Sequence, residues 1–275
     1  LASSDATGEK AARPPVDPSG IRLAESASLL VGAIAAAEAL MALGAFTAGL
    51  VLEMLVILAL AQMSVFGGFD ARTAEGRRVV AALLAVPLLR VITIVIIPLE
   101  LEYEIRLLFS SMAAVVVIAG LSVGLRLPEW GLRARWGRLR ARRVEHLAFI
   151  STAIPISLGF YLIAEQLGAE RLYQGVGTRV APFIIVAAIV EEYVFRGFIQ
   201  GQFRGAGVER GVWLTGILYV FTYMWWGSPT VIVWAIAAAA LYGWYRQETG
   251  AVWAVACNHA LALFCATILW PVLVS

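Results

Sequence analysis

Apolar positions in this chain arrive in long unbroken runs. They show neither the every-third-or-fourth spacing of a surface helix nor the strict alternation of a half-buried strand. Nine such runs are centred on roughly 28–45, 48–66, 79–98, 107–126, 147–166, 179–201, 211–227, 229–246 and 249–272, most of them close to the ~20 residues that cross a hydrocarbon core. They are too long for buried strands. The pattern predicts an all-α, polytopic transmembrane helix bundle of about eight to nine spans.

The polar interruptions set the organisation. LASSDATGEKAARPPVDPSG opens the chain without Met and without the compact apolar segment of a signal peptide, and it reads as part of a flexible N-terminal tail over 1–25. A four-span block follows over 26–126. An arginine-rich connector covers 127–146, and a second membrane core covers 147–275. No internal repeat or phosphate-binding glycine loop is apparent.

Composition agrees with a bilayer protein: 61% of the 275 residues are hydrophobic and 15% charged. Lys10 is the sole lysine, so positive charge is almost all arginine. The connector, with Arg133, Arg135, Arg138, Arg140, Arg142 and Arg143 and with Arg126 just before it, is expected on the cytoplasmic side, anchored on anionic headgroups. Alternation then puts the N-terminus inside, the C-terminus outside, and Arg72, Arg77, Arg78, Arg204, Arg210 and Arg246 inside, in a plasma or inner membrane. The expected partners are the lipid bilayer and a membrane-embedded peptide or protein, with no nucleic acid.

Charged residues inside the runs change the picture, because an ionisable group in a span is a candidate for function. Glu38, Glu53 and Arg90 are expected to pair with one another or to face a watery cavity. Glu100, Glu102 and Glu104 beside Arg106 read as a solvated turn. Cys257 and Cys265 lie eight residues apart, about 12 Å along a helix, and are expected to be buried packing residues. No cysteine or histidine spacing suggests zinc, and no cofactor is expected.

The stretch VEEYVFRG, residues 190–197, is different in kind. On an α-helix Glu192 and Arg196 are i and i+4 and share a face, while Glu191 is rotated by about 100°. Arg196 is therefore expected to offset the burial of Glu192, leaving Glu191 to face a cavity, where it suits a general base acting on water. A purely structural ion pair with a second acid at the water interface is the alternative. Gly197, Gly201 and Gly205 form a small-residue ladder that lets another helix approach closely.

Of the two histidines, His146 borders the arginine loop and is expected to be interfacial and solvated. His259 lies deep in the last run. It is either a hydrogen-bonded core histidine or a partner that converges with Glu191 to hold water or an oxyanion. The adjacent Asn258, the chain's sole asparagine, should serve a different face.

EEYVFRG together with LYGWYRQETGAVWAVACNHA resembles the CPBP membrane-protease family, also called the CAAX-protease or Abi family, over about Leu147 to Trp270. Its pattern is EExxxR, then an aromatic residue followed four positions on by His, then a His followed four positions on by Asn. The resemblance implies an all-α intramembrane protease in which the first glutamate activates water without a covalent acyl-enzyme. It matches Glu191 to the catalytic glutamate, Glu192 and Arg196 to its partners, and His259 to the third-motif histidine.

Two positions depart from that pattern. In Phe221-Thr222-Tyr223-Met224-Trp225, Trp225 stands where the histidine would be, and Leu263 stands where the asparagine would be. Neither can shuttle protons near neutral pH, so activity is expected to be weakened or lost. Tyr219, Tyr223 or Asn258 is the candidate substitute donor, with Phe221, Trp225 and Leu263 lining the site. The alternative to a peptidase is a non-catalytic scaffold or accessory subunit of a larger membrane complex. A third reading is haem or pigment binding through His259 amid nine tryptophans.

Overall fold

The computed structural model describes residues 18–66, 73–96, 99, 101–127, 142–166, 178–225 and 227–274. Among these no strand occurs, and the helices follow the nine apolar runs: α1 Pro18–Ala42, α2 Phe46–Phe66, α3 Ala74–Ile96, α4 Tyr103–Gly124, α5 Arg143–Gln166, α6 starting with Ala181–Glu192, α7 Gly211–Met224, α8 Pro229–Thr249 and α9 Val252–Val274. The protein is an all-α polytopic membrane protein. The tail residues 1–17 and most of the arginine-rich connector, 128–141, lie outside the described residues. Helix α1 starts at Pro18, ahead of the run expected from 28, and proline at a first helical turn fits because its missing N–H has no intrahelical partner there.

Six helices, α1 to α5 and α9, are long and apolar enough to cross a membrane. The other three depart from the expected spans for local reasons. Helix α7 has 14 residues, about 21 Å of rise, against a hydrocarbon core of about 30 Å. Helix α8 spends its last turn on Arg246, Gln247 and Glu248 before Gly250, at φ +75°, caps it with an N–H to the Arg246 carbonyl at 3.0 Å. Helix α6 carries both acids and then widens, through Tyr193–Ile199, into a π-helical turn before Gln200–Gly205 completes it. Large apolar side chains such as Leu29, Leu58, Val116, Trp213 and Val233 are exposed on the outside of the bundle, where lipid chains solvate them.

Helix α6 sits at the centre. It packs against α9 and α4, its C-terminal segment packs against α3, and α7 lies between α1 and α8. Small residues permit the tightest approach: a Cβ on Gly205 would come within 2.8 Å of the Arg78 guanidinium carbon. Phe198, Ile199, Phe203, Leu218, Tyr219, Tyr242, Ala254 and Val255 are fully buried and form the apolar wall around the polar residues of α6 and α9.

The buried charges of the N-terminal helices divide in two. Glu38 of α1 and Arg90 of α3 pair through both carboxylate oxygens. Glu53 of α2 is fully buried, and neither oxygen is hydrogen-bonded among the described residues. His146, expected at a solvated interface, is instead buried: its Nδ1 lies 2.7 Å from the Tyr245 hydroxyl and its ring is edge-on to Trp253. The first turns of α5 pack against α9. Cys265 is buried as expected, whereas Cys257 faces outward on α9.

Candidate active site

The two acids end the regular part of α6. Glu192 is fully buried and Glu191 half-buried, because consecutive helical positions point about 100° apart. Glu192 is engaged on both sides: Arg196 Nε lies 3.6 Å from Oε2, and His259 Nδ1 lies 2.8 Å from Oε1. Of the two settings expected for His259, the structure has it hydrogen-bonded to a neighbouring helix, and the acid it bonds is Glu192. That contact joins α6 to α9 across 67 residues of sequence, and no residue spacing in either helix announces it.

Arg196 falls inside the π-helical turn, where hydrogen bonds run i→i+5 and the i,i+4 register expected of an ideal helix is loosened. It makes an ion contact with Glu192 rather than a well-directed hydrogen bond. Its guanidinium stacks 4.2 Å from the centre of the Tyr219 ring and donates from Nη2 to the Ala238 carbonyl at 3.4 Å. The cation is thus met by a carboxylate, an aromatic face and a carbonyl from three helices, which offsets part of its burial, while its Nε and Nη1 make no hydrogen bond among the described residues.

Glu191 has a different set of neighbours. The Tyr223 hydroxyl, from the last turn of α7, donates to its Oε1 at 2.6 Å. Tyr223 is itself packed on Tyr219, ring centres 5.0 Å apart. Glu191, Glu192 and His259 come together so closely that one potential ligand atom from each lies within 4.8 Å of the others. A water molecule fits between two polar atoms at that separation. His259 Nε2 is buried and makes no hydrogen bond among the described residues, so with Nδ1 committed to Glu192 the ring has one nitrogen left for such a water.

Three ligand atoms at that spacing could also surround a small cation. The surroundings favour acid–imidazole chemistry instead, since Glu192 Oε1 already takes the His259 hydrogen bond and the Arg196 guanidinium stands on its other side. A metal would have to break the first contact and face the second.

The remaining sequence candidates fall elsewhere. Asn258 does not reach the acids: its Oδ1 accepts from Tyr242, and its Nδ2 donates to the Phe149 carbonyl at 2.6 Å and the Thr152 hydroxyl at 3.1 Å. It locks α5, α8 and α9 together, with Tyr242 packed between it and the His259 ring. Trp225 turns toward the N-terminal helices, 5.5 Å from the Arg90 guanidinium and edge-on to Phe46. Phe221 and Leu263 are partly buried, and Leu263 offers only its carbonyl, to Thr267. Tyr242, which backs the His259 ring, carried no sequence signal beyond an aromatic residue in an apolar run.

Residues 175–265 match the family model described as Type II CAAX prenyl endopeptidase Rce1-like. The segment contains α6, α7, α8 and the first half of α9, hence Glu191, Glu192, Arg196, Tyr223 and His259. The resemblance to the CPBP, or CAAX-protease, family holds over this part of the chain. No curated protein and no solved structure matches it.

Proposed function

We propose that the protein is a glutamate-dependent intramembrane peptidase that hydrolyses a peptide bond in a membrane-anchored, prenyl-type substrate. The observation that supports this reading is the division of labour between the two acids: Glu192 is buried and committed to Arg196 and His259, while Glu191 is half-buried and accepts the Tyr223 hydroxyl. An ion pair kept only for folding would not need the second acid.

In this reading Glu191 removes a proton from water as the water oxygen bonds to the scissile carbonyl carbon. The carbonyl becomes an oxyanion, and the proton passes from Glu191 to the amide nitrogen as the C–N bond breaks. No acyl-enzyme forms. His259, fixed at Nδ1 by Glu192, offers Nε2 to the water or the developing oxyanion. Tyr223 supplies the hydrogen bond that a second-motif histidine would supply, but a phenol exchanges protons poorly near neutral pH. Turnover is therefore slow rather than absent.

Residues 26–126 serve in this reading as a supporting block, 127–146 as a connector and 147–275 as the catalytic core. Arg78 meets Gly205, and Arg246 lies near Arg204 and donates to the Arg196 carbonyl at 3.3 Å, so these arginines gather at one end of the bundle. We place that end, with the N-terminus, in the cytoplasm.

A non-catalytic accessory role draws support from Trp225, which fills the second-motif position with a ring set against Arg90 and Phe46. One experiment separates the readings: cleavage of a prenylated peptide in liposomes by the purified protein and by Glu191→Gln. Cleavage lost in the variant at unchanged thermal stability supports the peptidase. No cleavage by the parent protein overturns it.

A further inference from the structure

We infer that Arg90, held by Glu38, is a positioning residue for the site: it fixes the last turn of α7 so that Tyr223 meets Glu191. The inference rests on the peptidase reading only for its kinetic consequence.

Arg90 lies on α3, outside the segment that matches the family model. Its Nε donates to Glu38 Oε1 at 2.8 Å and its Nη2 to Glu38 Oε2, so the guanidinium is clamped to α1 in a two-point fork. The same Nη2 donates to the Thr222 carbonyl at 3.3 Å. That carbonyl belongs to the last turn of α7, where a cation is favoured by the helix dipole. It also belongs to the planar peptide unit that ends at the Tyr223 nitrogen. Two residues beyond Tyr223, the Trp225 ring sits 5.5 Å from the guanidinium carbon and is held from its other neighbour by Phe46 of α2.

Tyr223 is thus bracketed by contacts to one side chain: a hydrogen bond to the peptide before it and a cation–aromatic contact to the ring after it. A second-motif histidine at 225 could meet nothing comparable, because it lacks the broad indole face on which a guanidinium stacks best. Arg90, Trp225 and Tyr223 form one arrangement, in which the tryptophan anchors the turn and the tyrosine does the bonding. Both charges of the Glu38–Arg90 pair are buried, at 1% and 8% exposure, a burial that a merely peripheral ion pair would not require.

The test is Arg90→Ala in the full-length protein, with 3-fluorotyrosine at position 223 followed by ¹⁹F NMR in detergent and a second sample labelled at Tyr242 as the control. The expected result is a shifted and broadened resonance at 223, an unchanged one at 242, and a kcat lowered between about ten- and a hundred-fold at unchanged KM. In a Tyr223→Phe background, Arg90→Ala should lower kcat no further. An unmoved 223 resonance, or an equal loss of kcat in both backgrounds, overturns the inference. If Arg90→Ala does not fold, Arg90→Lys, which keeps a charge for Glu38 without the fork, is read in the same way. Failure of both to fold makes Arg90 a folding residue and also overturns it. If the parent protein cleaves nothing, the peptidase reading falls while the two resonances still decide the role of Arg90.

Discussion

The hydroxyl of Tyr223 reaches Glu191 Oε1 at 2.6 Å and ties the end of α7 to the end of regular α6. A hydrogen bond to a charged group is worth about 1.5–3 kcal/mol, so Tyr223→Phe should lower kcat roughly ten- to hundred-fold and leave KM nearly unchanged. Initial rates on a membrane peptide check this. A variant within two-fold of the parent would mean that Glu191 is oriented by something else.

Trp225→His restores the family's second-motif residue and is expected to restore nothing. The side chain at 225 faces Arg90 and Phe46, so an imidazole there stands apart from Glu191. The variant should lose about 1–2 kcal/mol of stability, from the cation–aromatic contact and the packing of the larger ring. A gain in activity of ten-fold or more would show that the loop can re-aim the ring toward the acids.

The two adjacent glutamates should differ sharply in what they contribute to folding. Glu192→Gln leaves Arg196 buried beside a neutral amide, and breaking a buried pair in this way costs about 3–5 kcal/mol. Glu191→Gln keeps an acceptor for the Tyr223 hydroxyl and should stay within about 1 kcal/mol of the parent. Thermal unfolding in a fixed detergent separates the two. Equal destabilisation would argue that both acids are structural.

A second contrast lies in the N-terminal helices. Glu38→Gln strips the buried Arg90 of its carboxylate and should also cost about 3–5 kcal/mol. Glu53, equally buried, has no hydrogen-bond partner among the described residues, so Glu53→Gln should be neutral within about 1 kcal/mol or stabilising. The same unfolding measurement reads both variants, and a large loss at Glu53 would reveal a partner bound there.

Much of this arrangement was legible in the residues themselves. Unbroken apolar runs announced each helix, because backbone groups in hydrocarbon must be satisfied within the segment. Glu192 and Arg196 announced their pairing through helical spacing. What could not be read depends on contacts between helices: the bond from His259 to Glu192 rather than Glu191, the turning of Trp225 toward Arg90, and the use of Asn258 to join α5 and α8. His146 misled for the same reason, since its position beside an arginine run said nothing of Tyr245 waiting 99 residues away. Tyr223 was one candidate donor among three. Only the fold of α7 against α6 singled it out.

The widened turn at Tyr193–Ile199 has a consequence for how this helix tolerates change in length. A bond pattern of i→i+5 takes up one more residue per turn than the ordinary ladder. Deleting a single residue there would let regular geometry run through with everything beyond it still in phase, whereas straightening the turn at its full length would rotate everything beyond it by about 100°. Gln200 would then lose the Gly243 carbonyl that its amide now reaches at 3.1 Å, and Gly205 would swing away from Arg78, although both acids stayed in place. The turn acts as a phase adjuster between two halves of one rod: the half before it is indexed to α9, and the half after it to α3 and α8.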